Sequence, residues 1–360
     1  MQNSRQLINR FGNSFLLNTQ LKEISMADFQ KEKQIVLKYY DALDSAKIEE
    51  IPEICGNFVS EDCLWQSYHP FKDQKGGERI ATQFWIPFKV SFQRLQRRQD
   101  IFFAGQNEIN KDGSIWVVSM GHLMGLFDKN WISIPATEKM AFLRYAEFNR
   151  IEKDKIVETA LYFDIPHLMS QVGLNPFPNS MGANIIQPGP LTHEGLYYLD
   201  QPADEGNKTS KAIDHMIDTL GNWNNSLSIC EELALNWHDN MVWWGPTGIG
   251  ATYTIERYAK QHAGPFRAAF SDRKFNGHIS RVTEGYFGGF FGRPNLTLTL
   301  TNTFMGFPPT NLRADMNIVD IYRRDRGKLA ENWIFIDLLG FWMQHGIDIL
   351  GNITKKNYYK

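Results

Sequence analysis

The stretch from Asp320 to Gly346, DIYRRDRGKLAENWIFIDLLGFWMQHG, has a counterpart earlier in this chain of 360 residues. Residues 147–173, EFNRIEKDKIVETALYFDIPHLMSQVG, match it without a gap at an offset of 346 − 173 = 173. Identical polar or glycine residues keep that register at six places: Arg150 with Arg323, Lys155 with Lys328, Glu158 with Glu331, Asp164 with Asp337, Gln171 with Gln344, and Gly173 with Gly346. Such self-similarity indicates an internal duplication, and the chain length agrees with two domains.

Each copy has the pattern of strand, turn, strand and short helix. In the second copy, residues 317–323 are β-rich, 324–327 form a turn that ends in glycine, and 328–336 are rich in aromatic and branched residues. Asp164 and Asp337 stand where the short helices begin. We interpret them first as N-caps, whose side chains accept hydrogen bonds from free backbone N–H groups.

Composition excludes several classes of protein. The chain has 38 basic and 40 acidic residues, a net charge of −2, so it offers no basic excess for a nucleic-acid backbone. The three cysteines, Cys55, Cys63 and Cys230, have no metal-ligand spacing, and we interpret them as reduced thiols of a cytoplasmic protein. No apolar run has the length of a membrane span, and the N-terminus lacks the apolar core of a secretory signal.

In each copy, helical patterns precede a series of strands, an order that predicts an α+β fold. We expect an N-terminal arm (1–27), a first domain (28–175), a surface linker (176–208) and a second domain (209–355). A helix is predicted over 78–94, with a kink or an end at Pro87. Residues 285–292 and 296–303 are predicted as separate strands.

The terminal strand has Gly327-Lys328, then Glu331 and Trp333, followed by Asp337 and a Gln-x-Gly. This pattern resembles the SnoaL-like polyketide cyclase family, which has the cone-shaped fold of nuclear transport factor two. The resemblance implies two tandem cone-shaped domains, each a curved, mainly antiparallel sheet wrapped around three helices with a central pocket for a small hydrophobic molecule.

Single-domain relatives commonly dimerise through their sheet faces. The duplication therefore suggests a pseudo-dimer within the chain, in which Glu331, Trp333 and Phe335 supply part of the contact. Further homo-oligomerisation stays open.

The resemblance also carries departures from the family. Its cyclases use an acid/base aspartate three positions before the capping aspartate, where this chain has Leu161 and Ile334. The family histidine on the preceding strand corresponds to Glu147 and Asp320. Acid/base chemistry in this chain must therefore use other groups.

Glu147 and Asp320 are the candidate acid/base residues. Side chains alternate between the faces of a strand, which puts Glu147 on one face with Tyr145, and Asp320 on one face with Tyr322. If that face lines a pocket, loss of water raises the carboxyl pKa towards neutrality. The alternative is a structural carboxylate paired with a neighbouring arginine, Arg144 or Arg313, or facing water.

Other polar and aromatic residues are predicted to line the pockets. They are Trp65, His69, Trp85, His122, Tyr145, Asp164, His167, Trp244, His262, Tyr322 and Asp337. No histidine pair has metal-site spacing, and we expect neither a metal nor a cofactor. The resulting hypothesis is cofactor-free aldol cyclisation, isomerisation or hydrolysis of a small hydrophobic carbonyl compound. The alternative is a non-catalytic binding or assembly module.

Overall fold

The structure is a computed structural model that describes residues 25–222 and 226–353. The helical segments of its first half are α1 (Gln30–Ser45), α2 (Ile51–Phe58), α3 (Gly77–Ile80), a π-helical stretch (Ala81–Trp85), α4 (Ile86–Ser91) and α5 (Ile165–Gln171), with a 3-10 turn at Ile48–Glu50. The strands are β1 (Val59–Gln66), β2 (Gln74–Lys75), β3 (Phe92–Gln106), β4 (Ile115–Phe127), β5 (Met140–Glu152) and β6 (Lys155–Phe163). They form one sheet in the order β2-β1-β6-β5-β4-β3, in which β1 and β6 are parallel and the other neighbouring strands are antiparallel.

The second half repeats this plan. Its helical segments are α6 (Ala203–Asn222), α7 (Ile229–Ala234), α8 (Ile255–Tyr258), a π-helical stretch (Ala259–Ala263), α9 (Gly264–Ala269) and α10 (Leu338–Gln344), with a 3-10 turn at Gly351–Ile353. The strands are β7 (Trp237–Trp244), β8 (Thr252–Tyr253), β9 (Phe270–Phe275), β10 (Ser280–Glu284), β11 (Phe287–Leu300), β12 (Arg313–Asp325) and β13 (Lys328–Ile336). The sheet order is β10-β11-β12-β13-β7-β8, and β9 also pairs with β11. The predicted α+β class is confirmed.

The two capping aspartates have the predicted role. The side chain of Asp164 accepts a hydrogen bond from the backbone N–H of His167 (3.2 Å), and Asp337 accepts one from Gly340 (2.9 Å). Each carboxylate satisfies an N–H group at the start of α5 or α10 that has no partner within the helix.

Several boundaries differ from the sequence prediction. The predicted helix over 78–94 ends at Ser91, and Pro87 lies in the first turn of α4, where its missing N–H is not needed. Helix α6 begins at Ala203, inside the predicted linker. The two strands expected around Gly292 are one strand, β11, with a shift of register between Gly292 and Leu296. Of the predicted N-terminal arm, residues 1–24 lie outside the described residues.

The two sheets pack against each other through a shared apolar cluster. Its members come from β3 to β6 of the first half and from β10 to β13 of the second, with Tyr68 and Tyr197 from the connecting segments. Phe291 of β11 contacts three rings of the first half, with centroid distances of 5.5 Å to Trp116, 5.2 Å to Phe148 and 5.9 Å to Tyr162. Trp333 and Phe335 belong to the same cluster.

Polar groups cross this contact as well. The hydroxyl of Tyr68 donates to the carbonyl of Phe335 (2.8 Å). The guanidinium of Arg144 donates to the carbonyls of Ile334 and Trp244, both at 3.1 Å, and lies over the ring of Phe335. Arg144 therefore joins the two halves. The pairing of Arg144 with Glu147, one of those considered from the sequence, does not occur.

No helix in the described part of the chain is long and apolar enough to cross a membrane.

Removal of the Phe291 ring tests the contact between the sheets. Phe291 is fully buried. Phe291→Ala is expected to lower the free energy of unfolding by about 3–5 kcal/mol, since a large aromatic side chain leaves a cavity in a packed core. Urea unfolding measures the change. Leu199→Ala is the control, because Leu199 is 72% exposed and its loss is expected to have little effect. A Phe291→Ala variant as stable as the control would contradict the packing described.

Candidate functional site

A cavity of about 300 Å³ lies between the helices and the sheet of the second half. Its wall is mostly apolar and aromatic, and its polar minority includes two arginines, Arg267 and Arg273. The residues that line it include Met216, Ile217, Leu220, Trp237, Trp243, Tyr258, His262, Ala263, Phe266, Phe275, His278, Phe290, Met316, Ile318, Asp320, Tyr322, Asn332, Ile334 and Ile336. An apolar concavity with a few polar groups is the usual form of a small-molecule site.

Asp320 is the acidic residue of this wall. It lies on β12, and its Oδ1 accepts a hydrogen bond from the amide of Asn332 on β13 (3.0 Å). Burial raises the pKa of Asp320 to about 7, and hydrogen bonds with Asn332 and Tyr322 oppose the rise only in part. The carboxyl group is therefore able to release or take up a proton near neutral pH.

Two tyrosines accompany Asp320 in the cavity. Tyr322 follows it on the same face of β12, as the alternation of the strand predicts, and Tyr258 lies at the end of α8. Burial raises the pKa of both hydroxyl groups, and the charge of Asp320 adds to the effect. Both tyrosines therefore remain protonated and can donate hydrogen bonds near neutral pH.

Two histidines of the wall are neutral. His262 stacks on Trp243 with a centroid distance of 4.1 Å, and His278 stacks on Phe290 at 3.8 Å. Burial lowers the pKa of each imidazole to about 3. These rings carry no charge at physiological pH, and a neutral imidazole offers one N–H donor and one nitrogen acceptor.

The matching carboxylate of the first half, Glu147, has a different environment. Its Oε2 accepts a hydrogen bond from the Tyr40 hydroxyl (2.7 Å) and lies 3.5 Å from Nη1 of Arg97. Burial raises the pKa of Glu147, and the Arg97 cation opposes that rise more than any other group. Glu147 is thus held by a tyrosine and a buried arginine. The structure pairs it with Arg97 rather than with Arg144 or Arg313, the two arginines considered from the sequence.

Arg97 fills the space in front of Glu147. Its guanidinium lies 3.9 Å from the centre of the Tyr40 ring and 5.4 Å from that of Trp85. The Nε atom is 3.2 Å from Oδ2 of Asp44. The side chains of Tyr40, Trp85 and Arg97 are nearly inaccessible to solvent, so this part of the first half is packed.

Comparison of the two halves explains the cavity of the second. In the first sheet, Arg97 pairs with Leu123, which pairs with Leu143. In the second sheet, Phe275 pairs with Leu296, which pairs with Met316, the residue that matches Leu143 at the offset of 316 − 143 = 173. Phe275 therefore has the place that Arg97 has in the first half. The helix patterns equate the other members: Tyr40 with Ile217, Asp44 with Gly221, and Trp85 with Ala263. All four residues of the second half line the cavity. The second half is open because smaller or apolar side chains replace Tyr40, Asp44, Trp85 and Arg97.

The structure distributes the other residues predicted from the sequence over several places. His262 and Tyr322 join Asp320 in the cavity. Trp65, Trp85 and Tyr145 belong to the core of the first half, where the Tyr145 hydroxyl lies 2.8 Å from that of Ser119.

A second group of predicted residues lies near the contact between the halves. Asp164 also accepts a hydrogen bond from the backbone N–H of Thr247 (2.9 Å), and Asp337 accepts one from that of His69 (3.3 Å). The carbonyl of Trp244 binds Arg144. These groups connect the two halves across the chain.

The remaining predicted histidines also lie outside the second-half cavity. The Nδ1 atom of His122 is 3.4 Å from Oδ2 of Asp100. His167 is buried on α5, and burial lowers its pKa.

The sequence reasoning missed Asn332, Tyr258 and His278. Asn332 shares a strand face with Ile334 and Ile336, so alternation along β13 could have identified it. Tyr258 precedes His262 by four residues, the spacing of neighbours on a helix face. His278 lies between β9 and β10, and no local sequence pattern assigns it to the cavity.

Within residues 25–222 and 226–353, no group of three or more histidine, cysteine, aspartate or glutamate side chains is arranged to hold a metal ion.

Comparisons with known proteins relate the second half to one family. The model of the family described as SnoaL-like polyketide cyclase matches residues 233–345, from α7 to the end of α10. No curated protein matches the sequence.

Several solved structures are similar to part of this chain. A SnoaL-like protein from Jannaschia sp. CCS1 has 16% identity and a TM-score of 0.34, over 41% of this chain and 95% of its own. A protein from Burkholderia xenovorans LB400, described as NTF2-like, has 12% identity and a TM-score of 0.32, over 39% and 97%. IdmH from Streptomyces antibioticus has 19% identity and a TM-score of 0.31, over 39% and 99%.

The raised pKa of Asp320 predicts a specific pH dependence of stability. The folded protein binds the Asp320 proton more tightly than the unfolded chain does, so this group lowers wild-type stability as pH rises from about 4 to about 7. Asp320→Asn does not titrate. Its free energy of unfolding, relative to wild type, is therefore expected to increase over that interval by up to about 4 kcal/mol.

Urea unfolding of both proteins at about pH 4.5 and about pH 8 measures this difference. Asp239→Asn is the control, since Asp239 is exposed and the substitution is expected to have the same effect at both pH values. A relative stability of Asp320→Asn that does not change with pH would show that Asp320 titrates as an ordinary carboxyl group.

Proposed function

We propose that the cavity of the second domain carries out cofactor-free acid/base chemistry on a small hydrophobic carbonyl compound, because residues 233–345 match the model of the SnoaL-like polyketide cyclase family. One observation supports this above all others. Asp320 lies on the wall of an apolar cavity, where burial holds its pKa at about 7 and the groups that bind it are neutral.

The pKa of Asp320 suits the task of a base that must also act as an acid. At neutral pH a group with this pKa is present in both forms, so it can remove a proton in one step and return it in the next. The groups that hydrogen-bond with the Asp320 carboxyl, Asn332 and Tyr322, are neutral, whereas Nη1 of Arg97 lies 3.5 Å from the carboxylate of Glu147.

The reaction begins at a carbon next to a carbonyl group. The carboxylate of Asp320 takes a proton from that carbon, and the electrons of the broken C–H bond move into the carbon–carbon bond as the carbonyl oxygen becomes an enolate. In an aldol cyclisation, the enolate carbon then attacks a second carbonyl, and the oxygen of that carbonyl takes the proton from Asp320. In an isomerisation, another carbon of the enolate takes that proton back. In the hydrolysis of an ester, the same carboxylate instead takes a proton from water as the water oxygen attacks the carbonyl carbon. It returns that proton to the alcohol oxygen when the acyl–oxygen bond breaks.

The first domain serves as a scaffold in this proposal. Glu147 is occupied by Tyr40 and Arg97, and Trp85 closes the space that Ala263 leaves open in the second domain. The alternative for the second domain is a binding module without catalysis, which its predominantly apolar wall favours.

Deuterium exchange tests the proton transfer without knowledge of the natural substrate. The protein is incubated in D₂O with the bicyclic ketones 1-tetralone and 2-tetralone, and NMR follows exchange at the carbons next to the carbonyl. Wild type is expected to accelerate exchange. In Asp320→Asn the rate of catalysed exchange is expected to fall by a factor of at least about 100, since a positioned base usually contributes that much to a rate. Glu147→Gln is the matched control and is expected to retain it.

The outcomes separate the two candidate functions. Ketone binding without accelerated exchange would support the binding module. Equal exchange by wild type and Asp320→Asn would remove Asp320 from the proposal.

Closure of the cavity gives an independent test. Ala263→Trp introduces the residue that the first domain has at this place, and the indole is expected to fill the cavity and weaken 2-tetralone binding at least tenfold, or about 1.4 kcal/mol. NMR titration measures the affinity. Leu235→Trp, at a position that is 51% exposed, is the control and is expected to bind as wild type does. Unchanged affinity in Ala263→Trp would place the ligand elsewhere.

A further inference from the structure

His262 is a buried polar residue of the cavity that the proton transfer described above does not use. It lies in the π-helical stretch of the second domain, on the helical side of a cavity whose sheet carries Asp320. Trp243 connects the two sides, because it stacks on His262 and pairs in register with Asn332, the residue that donates to Asp320.

The imidazole of His262 has an unused capacity for hydrogen bonds. Its Nδ1 atom is buried and has no hydrogen-bond partner among the described residues. Its closest ring neighbours are Trp243, Tyr258 and Phe266, whose centroids lie at 4.1, 5.3 and 5.8 Å. A polar nitrogen buried among rings without a partner costs stability, so packing alone does not account for a histidine here.

The residue at the corresponding position of the first domain shows what packing requires there. The π-helical stretches read Ala-Thr-Gln-Phe-Trp over 81–85 and Ala-Lys-Gln-His-Ala over 259–263, so His262 corresponds to Phe84. Phe84 is fully buried and packs against Trp65, the counterpart of Trp243, at 5.8 Å. An apolar ring therefore satisfies this position in the domain whose interior is filled. The imidazole occurs in the domain that has a cavity.

We propose that His262 binds the carbonyl oxygen of the substrate by donating a hydrogen bond to it, and that the substrate is a planar ketone with a proton on the neighbouring carbon. This proposal rests on the proposed function and assigns the oxygen-binding group of the same site. Planarity follows from the wall, where the rings of Trp243, Tyr258, Phe266 and Phe290 offer flat apolar surfaces.

The proton and electron movements balance without a further reactant. Asp320 takes the proton from the carbon, the C–H electrons form a carbon–carbon double bond, and the π electrons of the carbonyl move onto oxygen. The N–H of the neutral imidazole donates to that oxygen throughout and keeps its proton, so the negative charge is stabilised without transfer. Such a donor is more effective in a cavity with little water than in bulk solvent.

The experiment compares two probes of the same shape. 2-Naphthol is planar and carries an oxygen in place of the enolate oxygen, whereas naphthalene lacks it. Fluorescence titration gives the affinity of each probe for wild type, His262→Phe and Asp320→Asn. The His262→Phe variant installs the first domain's residue, which keeps an aromatic ring against Trp243.

Wild type is expected to bind 2-naphthol roughly tenfold more tightly than naphthalene, the preference that one hydrogen bond in a shielded site confers. In His262→Phe the preference is expected to disappear while naphthalene binds as before. Asp320→Asn is expected to keep most of the preference.

Three results would overturn the proposal. If His262→Phe retains the preference, His262 does not bind the oxygen. If only Asp320→Asn loses it, the carboxyl group binds the oxygen, and the proposed acid/base function stands without this role for His262. If wild type binds neither probe, the cavity does not accept planar ligands, and the proposed function loses its site together with this inference.

Discussion

A carboxylate buried at the same place in both halves is the constraint on which the rest of the structure depends. Removal of a carboxylate from water is costly, and a protein can meet that cost with a cation or with a proton. The first domain uses the cation of Arg97, supported by Tyr40 and Asp44. In the second domain Asp320 has the neutral hydrogen-bond partners Asn332 and Tyr322, and burial raises its pKa to about 7. One fold thus contains the two solutions to a single electrostatic problem.

The choice between these solutions also determines where empty space occurs. An arginine that reaches a buried carboxylate must pass through the interior, and in the first domain the stem of Arg97 together with Tyr40 and Trp85 occupies it. When the arginine is replaced by Phe275, its partner Asp44 by Gly221, and Trp85 by Ala263, the same helices and strands enclose a cavity. Electrostatics and packing therefore change together, since the group that neutralises Glu147 is also the group that fills the domain.

Short-range patterns in the sequence predict much of this architecture. The duplication is visible in the matched segments that end at Gly173 and Gly346, the caps follow from Asp164 and Asp337, and alternation along the strands puts Glu147 and Asp320 on inner faces. The partners of those carboxylates are not predictable in this way, because Tyr40 reaches Glu147 from 107 positions away along the chain. The histidines illustrate the same limit. Both His262 and His69 were predicted to line a pocket, and of the two His262 lines the cavity. The backbone of His69 binds Asp337 at the contact between the halves, because His69 lies in a loop whose path no local pattern encodes.

The packing of the two sheets within one polypeptide has a consequence for how such a protein can diverge. In a symmetric homodimer every substitution appears in both subunits, so a change that opens one interior opens the other and weakens both at once. Fusion removes that coupling. Here one copy can keep a buried cation that the other copy lacks. In addition, Arg144 of the filled copy donates a hydrogen bond to the carbonyl of Ile334, a residue that lines the cavity of the open copy. The filled copy thus remains a rigid neighbour for the open one, and substitutions in the open interior need not preserve the electrostatic balance of both.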